Sequence, residues 1–328
     1  MIPYIHVPDF HIGPLPLHPF GILVATGVLV GTSVTARRAE KMGYDVVRLN
    51  SFITWMLVSA FVLSHTLDAV FYHWHDEVER MPWSLNPLSD SMPWYLFKPW
   101  LGLSSFGGFI GAVVGIVLWR YLEVVDGKLR VRPKPAALLA YADLVLSVLP
   151  LGWLFGRAGC STVHDHPGAR ATADALLAVG YPMPDPTRFY VPPGTSVTSL
   201  GPIEIIHGNY PRYDLGTLEF LFTAVLITCF AITWSRKVPV GTYAIVTGLA
   251  YAPVRFAMDF LRVPDTQGGD PRYGTLTPAQ WSCFALFTFS VVMIFYVRSL
   301  KKRGIDPADA AYVRDSTPRP DPRPATSQ

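Results

Sequence analysis

Residues 238–262 read VPVGTYAIVTGLAYAPVRFAMDFLR. The first part of the stretch is apolar enough to enter a bilayer, and its end carries Arg255, Asp259 and Arg262. The spacing i, i+4, i+7 puts all three charges on one helix face. A charge near the bilayer centre costs about 2.5–3.5 kcal/mol even on lenient insertion scales. Three on one face therefore point to an inward-facing polar site, and two arginines point to an anion there. In a membrane the most abundant anion is a lipid phosphate. The bland reading, a structural salt bridge that lets charges enter the membrane, is compatible with this one.

Working outward, the chain has 328 residues, 50% hydrophobic and only 16% charged. Average soluble proteins carry about 25% charged residues. The apolar residues come in long blocks, which indicates an all-α polytopic membrane protein. Seven spans are read at about 18–36, 51–72, 103–120, 137–156, 216–234, 239–260 and 280–298. Each is near the ~20 residues that cross a hydrocarbon core of about 30 Å.

Basic residues set the orientation. Arg37, Arg38, Lys41 and Arg48 follow the first span, and Arg120, Lys128, Arg130, Arg132 and Lys134 follow the third. Arg236 and Lys237 follow the fifth, and Lys301, Lys302 and Arg303 the seventh. The other loops are poorer in basic residues for their length. The N-terminus is thus expected outside and the C-terminus in the cytoplasm. No basic stretch precedes the first apolar segment, so no cleaved signal peptide is expected. Cys229 and Cys283 lie inside spans and Cys160 at the outer end of one, which suggests no disulfide framework.

Residues 1–303 form one membrane domain in this reading. Its first 17 residues, with four prolines and no lysine or arginine, read as an outer surface segment. Residues 73–102 read as an external loop rich in tryptophan and proline. The largest insertion, about 157–215, contains PMPDPTRFYVPPG, which proline bars from continuous helix, and a small irregular external head is expected. The tail from 304 is polar and proline-rich and is expected to be disordered. No internal repeat or glycine-rich phosphate loop is present, and neither a cofactor nor a nucleic-acid partner is expected.

Several residues qualify for chemistry. Arg157 ends the fourth span between Gly156 and Gly159. It is either a snorkelling anchor or a site residue beside backbone that allows close approach. Just beyond lies His164-Asp165-His166-Pro167-Gly168. This run reads as a polar turn, as a general base with its orienting carboxylate, or as two metal ligands lacking a third and fourth at convincing spacing. No metal site is expected. His65, Asp68 and Asp143 read as buried polar contacts between helices. Glu219 is either a helix-start carboxylate favoured by the dipole or a site residue. The spacing Gly107-Gly111-Gly115, with Gly108, reads as close helix packing or as a thin backbone wall beside a lipid headgroup.

Taken in order, these segments resemble the prolipoprotein diacylglyceryl transferase family. GPLPLHPFG with TARRAEKMGYD is similar to that family's first span and turn. FGGFIG resembles its His-Gly-Gly segment, ADLVLSVLPLGWLFGRAGC its signature arginine segment, and RFAMDFLRVPD with LTPAQW its last two spans. The likeness covers nearly the whole membrane portion and is weakest over 169–215. It implies transfer of a diacylglyceryl group from phosphatidylglycerol to the thiol of the lipobox cysteine in a lipoprotein precursor, at the outer leaflet of the bacterial inner membrane. By resemblance Arg157 and Arg255 are site residues. Asp165 and Asp259 match family glutamates, Arg262 an arginine, Glu219 a glutamate and Gly168 a glycine.

The chain also departs from the family pattern. Phe20 stands where the family has a tyrosine, Phe106 where it has a histidine, and Cys160 where it has an asparagine. His164 or His166 is expected to replace the missing imidazole. The departures leave two other readings: a related enzyme with a different lipid or acceptor, and a non-catalytic lipid- or lipoprotein-binding protein. Transport fits poorly, because the halves show no repeat symmetry.

Overall fold

A computed structural model describes residues 1–12, 15–70, 102–185, 189–236, 238–263 and 272–306. Lys237, the expected external loop over 73–101 and the tail from 307 lie outside the described residues. The described chain forms two compact units, residues 1–37 with 142–306, and residues 38–141.

All seven apolar stretches are helical. They are α1 (Pro19–Met42), α2 (Val46–Asp68), α3 (Ser105–Tyr121), the pair α4 (Leu139–Leu146) and α5 (Leu149–Val163), α6 (Leu215–Thr233), α7 (Thr242–Met258) and α8 (Pro278–Lys302). Among the described residues five helices are long and apolar enough to cross a membrane, or six if the bent pair α4 and α5 is one span. Helix α3 is apolar but shorter. It leaves Phe109, Val113 and Val117 exposed. The protein is therefore a polytopic helical membrane protein.

The expected span over about 137–156 falls on two helices. A bend of 44° separates α4 from α5. Pro150 sits in the first turn of α5, where its ring and missing N–H prevent the ladder from running back into α4. Helix α5 then continues to Val163, so Arg157 and Cys160 lie within it.

In the unit over residues 38–141, α2 and α3 meet backbone to backbone. A Cβ on Gly107 would lie 2.7 Å from the Leu63 carbonyl oxygen, and one on Gly111 2.3 Å from that of Ser59. Only glycine permits this approach. Phe52, Trp119 and Tyr141 fill the interior of this unit, with Phe52 edge-on to Trp119 at 5.0 Å between centroids. His65 Nδ1 lies 2.9 Å from the Gly102 carbonyl oxygen. Strands β4 (Leu122–Val125) and β5 (Lys128–Val131) form a hairpin through Asp126-Gly127, both at positive φ, as a two-residue turn demands.

In the other unit, the head is not irregular as expected but carries a six-stranded sheet. Its strands are β1 (Ile2–His6), β6 (Pro167–Arg170), β7 (Val179–Tyr181), β8 (Ser196–Leu200), β9 (Ile203–His207) and β10 (Tyr210–Asp214). A separate hairpin pairs β2 (Phe10–Ile12) with β3 (Leu15–Leu17). The sheet order is β6-β10-β7-β1-β9-β8. The N-terminal strand sits at its middle, parallel to β7 with Ile2 opposite Val179 and antiparallel to β9 with Ile5 opposite Ile205. The prolines that argued against order are collected between β7 and β8, where they interrupt no ladder. Tyr4, Val179, Tyr181 and Ile206 form the sheet's core.

Candidate active site

Helices α5, α6 and α7 bring their polar residues together around Glu219, one turn into α6. Asp214 starts that helix by accepting the Thr217 N–H at 2.7 Å. Glu219 is only 2% exposed. Its Oε1 lies 3.0 Å from Arg157 Nε and accepts the Trp153 indole N–H at 3.0 Å. The Tyr251 hydroxyl also donates to Oε1. Its Oε2 faces Arg255 Nε at 3.5 Å. One carboxylate thus holds two guanidinium groups from two different helices.

A second carboxylate continues the network. Asp259 opens the 3₁₀ turn η1 (Asp259–Leu261) that ends α7. It is 1% exposed, accepts Arg255 Nη1 at 2.8 Å and lies 3.6 Å from Arg262 Nε. The Thr277 hydroxyl donates to its other oxygen. Thr277 is itself fixed as the N-cap of α8, in a reciprocal capping box with Gln280. Asp143, expected as an interhelical contact, accepts the Ala244 N–H at 2.8 Å and satisfies an orphan donor in the first turn of α7.

Arg157 and Arg255 keep side-chain exposures of 12% and 11%. Arg157 also stacks over Trp153, with Cζ 4.7 Å from the ring centroid. Three guanidinium groups against two carboxylates leave one net positive charge within this group. Preorganised arginines of this kind bind a phosphate oxyanion and stabilise charge that develops on it.

The His164-Asp165-His166 run divides. His164 caps α5 in the left-handed conformation (φ 50°) and is buried. Its Nδ1 lies 2.7 Å from Asp214 Oδ2 and its Nε2 3.1 Å from the Ile5 carbonyl oxygen. Its ring stacks on Tyr4 at 3.6 Å between centroids. Both nitrogens face acceptors, so neither offers a lone pair to a reactant. These contacts tie the end of α5 to the sheet. Asp165 and His166 remain half-exposed, with Nδ1 of His166 3.5 Å from Asp165 Oδ1. Burial raises the Asp165 carboxyl above the ordinary carboxylate range, and His166 works against that shift.

Gly168 has a backbone role. It bridges Arg262, and a Cβ there would lie 2.5 Å from the Tyr213 carbonyl oxygen and 3.0 Å from that of Leu261. It locks the sheet to the end of α7. Phe20 packs on Gly159, where a Cβ would meet its ring at 2.8 Å. Gly107 and Gly108 belong to the other unit, where Gly107 packs on α2.

Trp153, Tyr251 and Thr277 were missed by sequence reasoning, as was Asp214. Spacing contained part of the signal. Trp153 lies four residues before Arg157, and Tyr251 four before Arg255, each on the face of its arginine. Asp214 directly before an apolar run is an N-cap signature.

A helical membrane protein that sets three part-buried arginines on two buried carboxylates in one network belongs to the class that handles an anionic group among its spans. More specifically, residues 9–296 match the prolipoprotein diacylglyceryl transferase family, and the chain belongs to that family. Relatives named phosphatidylglycerol–prolipoprotein diacylglyceryl transferase support this. The one from Nitratidesulfovibrio vulgaris is 26% identical over 306 residues, covering 92% of this chain and 95% of its own. That from Pseudomonas putida is 26% identical over 310 residues, covering 92% and 98%. That from Mannheimia succiniciproducens is 26% identical over 264 residues, covering 79% and 81%.

Proposed function

We propose that the protein transfers the diacylglyceryl group of phosphatidylglycerol to the lipobox cysteine of a prolipoprotein signal peptide. The observation that carries this is the convergence of Arg157 and Arg255 on Glu219, beside Arg262 and Asp259. In the reaction the acceptor thiolate attacks the glyceryl carbon that bears the phosphate. The carbon–oxygen bond breaks and glycerol phosphate leaves as an anion. Arg157 and Arg255 hold the phosphate and stabilise the charge that grows on the departing oxygen. Arg262 adds a third positive group, while Glu219 and Asp259 fix the guanidinium planes.

The acceptor thiol has to lose its proton, since the thiolate is the nucleophile. Asp165 and His166 take this part, His166 as base and Asp165 as its orienting carboxylate. Their exposure next to the arginine network supports that assignment. A shallow apolar surface along Pro253, Val254, Ala257, Met258 and Leu261 offers a place for acyl chains beside the charged face of α7. Gly168 positions the arginine end of α7.

The loop charges and the helical segments support a reading of seven spans, with the N-terminus and the head outside and the C-terminus in the cytoplasm. The site then faces the outer leaflet of the bacterial inner membrane. The test is lipid transfer from phosphatidylglycerol vesicles to a precursor peptide, read by peptide mass. Turnover should fall in Arg157→Ala and Arg255→Ala with the proteins still inserted. Full turnover in both variants overturns the reading. Binding of lipid without transfer by the unaltered protein favours a non-catalytic role instead.

A further inference from the structure

The chain has a thiol, Cys160, beside the arginine network, and the fold brings two more donors to it. We propose that Cys160, Asp165 and His166 form a binding site for a thiophilic divalent cation of the zinc class, and that its occupancy blocks turnover. The inhibitory consequence rests on the transferase reading; the binding does not.

Three observations carry the proposal. The Cys160 sulfur, an Asp165 oxygen and a His166 nitrogen all lie within 4.8 Å of one another. A thiolate, a carboxylate and an imidazole are the donors that four-coordinate zinc takes, with bonds of about 2.0–2.3 Å and the fourth position left to water. Tetrahedral geometry at those bond lengths places donors about 3.3–3.8 Å apart, so closing the site takes about 1 Å of movement. The movable partners are the ones at hand: the side chains of Asp165 and His166 are 42% and 33% exposed, whereas Cys160 is fixed and buried on α5.

The donors meet because of His164. Its left-handed backbone reverses the chain at the end of α5 and turns residues 165 and 166 back towards residue 160. Asp214 and the Ile5 carbonyl hold that conformation. Among the described residues Arg157 stands close by, with Nη1 3.7 Å from Cys160 Sγ, and its Nε lies 3.0 Å from Glu219, a carboxylate it shares with Arg255. On binding, the thiol gives its proton to solvent, and thiolate plus carboxylate balance the two charges of the ion. An ion there occupies the proposed base and sits against the arginine that holds the phosphate.

The test uses full-length protein in detergent after chelator treatment, with cadmium chloride as the spectroscopic probe. One equivalent should give the sulfur-to-cadmium charge-transfer band, and zinc should displace it. Cys160→Asn should lack the band, and His166→Ala should bind about tenfold more weakly or worse. Zinc should lower wild-type transfer by about tenfold, with recovery on chelation, and leave Cys160→Asn at its own metal-free rate. A band retained in Cys160→Asn, no band in the wild type, or unchanged affinity in both His166→Ala and Asp165→Asn overturns the site. Binding without inhibition overturns the regulatory part. A wild-type protein that binds cadmium but shows no transfer counts against the transferase reading and leaves the metal site standing.

Discussion

Arg157 of α5 and Glu219 of α6, 62 positions apart in the chain, meet at 3.0 Å in a pocket that leaves the carboxylate 2% exposed. Neither charge is tolerable alone at that depth, because an unpaired buried ion keeps the full cost of its desolvation. The pair makes each residue a condition for the other, and Arg255 joins it from a third helix.

Glu219→Gln should therefore leave two guanidinium groups under-compensated. We expect about 3–5 kcal/mol less stability in detergent unfolding and transfer reduced by about 10²-fold or more. Wild-type stability in this variant would mean that the network is not what joins the three helices.

Arg157→Lys and Arg255→Lys keep the charge but lose the planar fork. Each should reduce kcat by about 10²-fold, the scale for removing one oriented donor at a developing oxyanion. A change confined to KM would mean that the arginine serves ground-state binding only.

Asp214 gives the head a pH signature. Burial alone would raise its carboxyl, but hydrogen bonds from His164, Tyr181 and the Thr217 N–H hold it below the ordinary range. Such a group adds stability that is complete above its unfolded value of about 3.9 and is lost as pH falls through the lowered value. Amide protection in β7 and β10 should persist to about pH 4 and decline below it. Asp214→Asn should lose about 1–3 kcal/mol of protection at neutral pH and show a flatter acid profile.

Gly111→Ala and Gly108→Ala separate close backbone approach from glycine content on α3. A Cβ at Gly111 would lie 2.3 Å from the Ser59 carbonyl oxygen, and the variant should lose about 1–3 kcal/mol in thermal unfolding. At Gly108 the nearest atoms are 3.9 Å away, so Gly108→Ala should fold normally. An unchanged Tm in Gly108→Ala beside a lowered one in Gly111→Ala would confirm that close backbone approach, not glycine content, sets the stability of α3.

Gly168→Ala should disturb the arginine network from outside it. The new methyl would press on the carbonyls of Tyr213 and Leu261 and shift the strand that bridges Arg262. Transfer should fall along with about 1–3 kcal/mol of head stability. Full activity would separate the sheet from the positioning of Arg262.

The local parts of this protein were legible in its residues. Apolar blocks of span length gave helices close to the expected positions, and Arg255-Asp259-Arg262 share a polar surface because helix geometry repeats every 3.6 residues. What escaped was non-local. Ile2 pairs with Val179 across the chain, and no short-range periodicity records such pairing, so the head read as irregular while its prolines concealed the strands. The break before Pro150 was visible in kind, but only packing decides whether a proline kinks a helix or ends it. Sequence alone determined that charges enter the membrane and that an anion is their natural partner, because desolvation makes unpaired charges there too costly. Tertiary structure alone decided that Glu219 joins Arg157 to Arg255, that His164 meets Asp214, and that Asp165 and His166 turn back onto Cys160. Those outcomes depend on distances of 3–5 Å between different segments, which the order of residues along a chain does not specify.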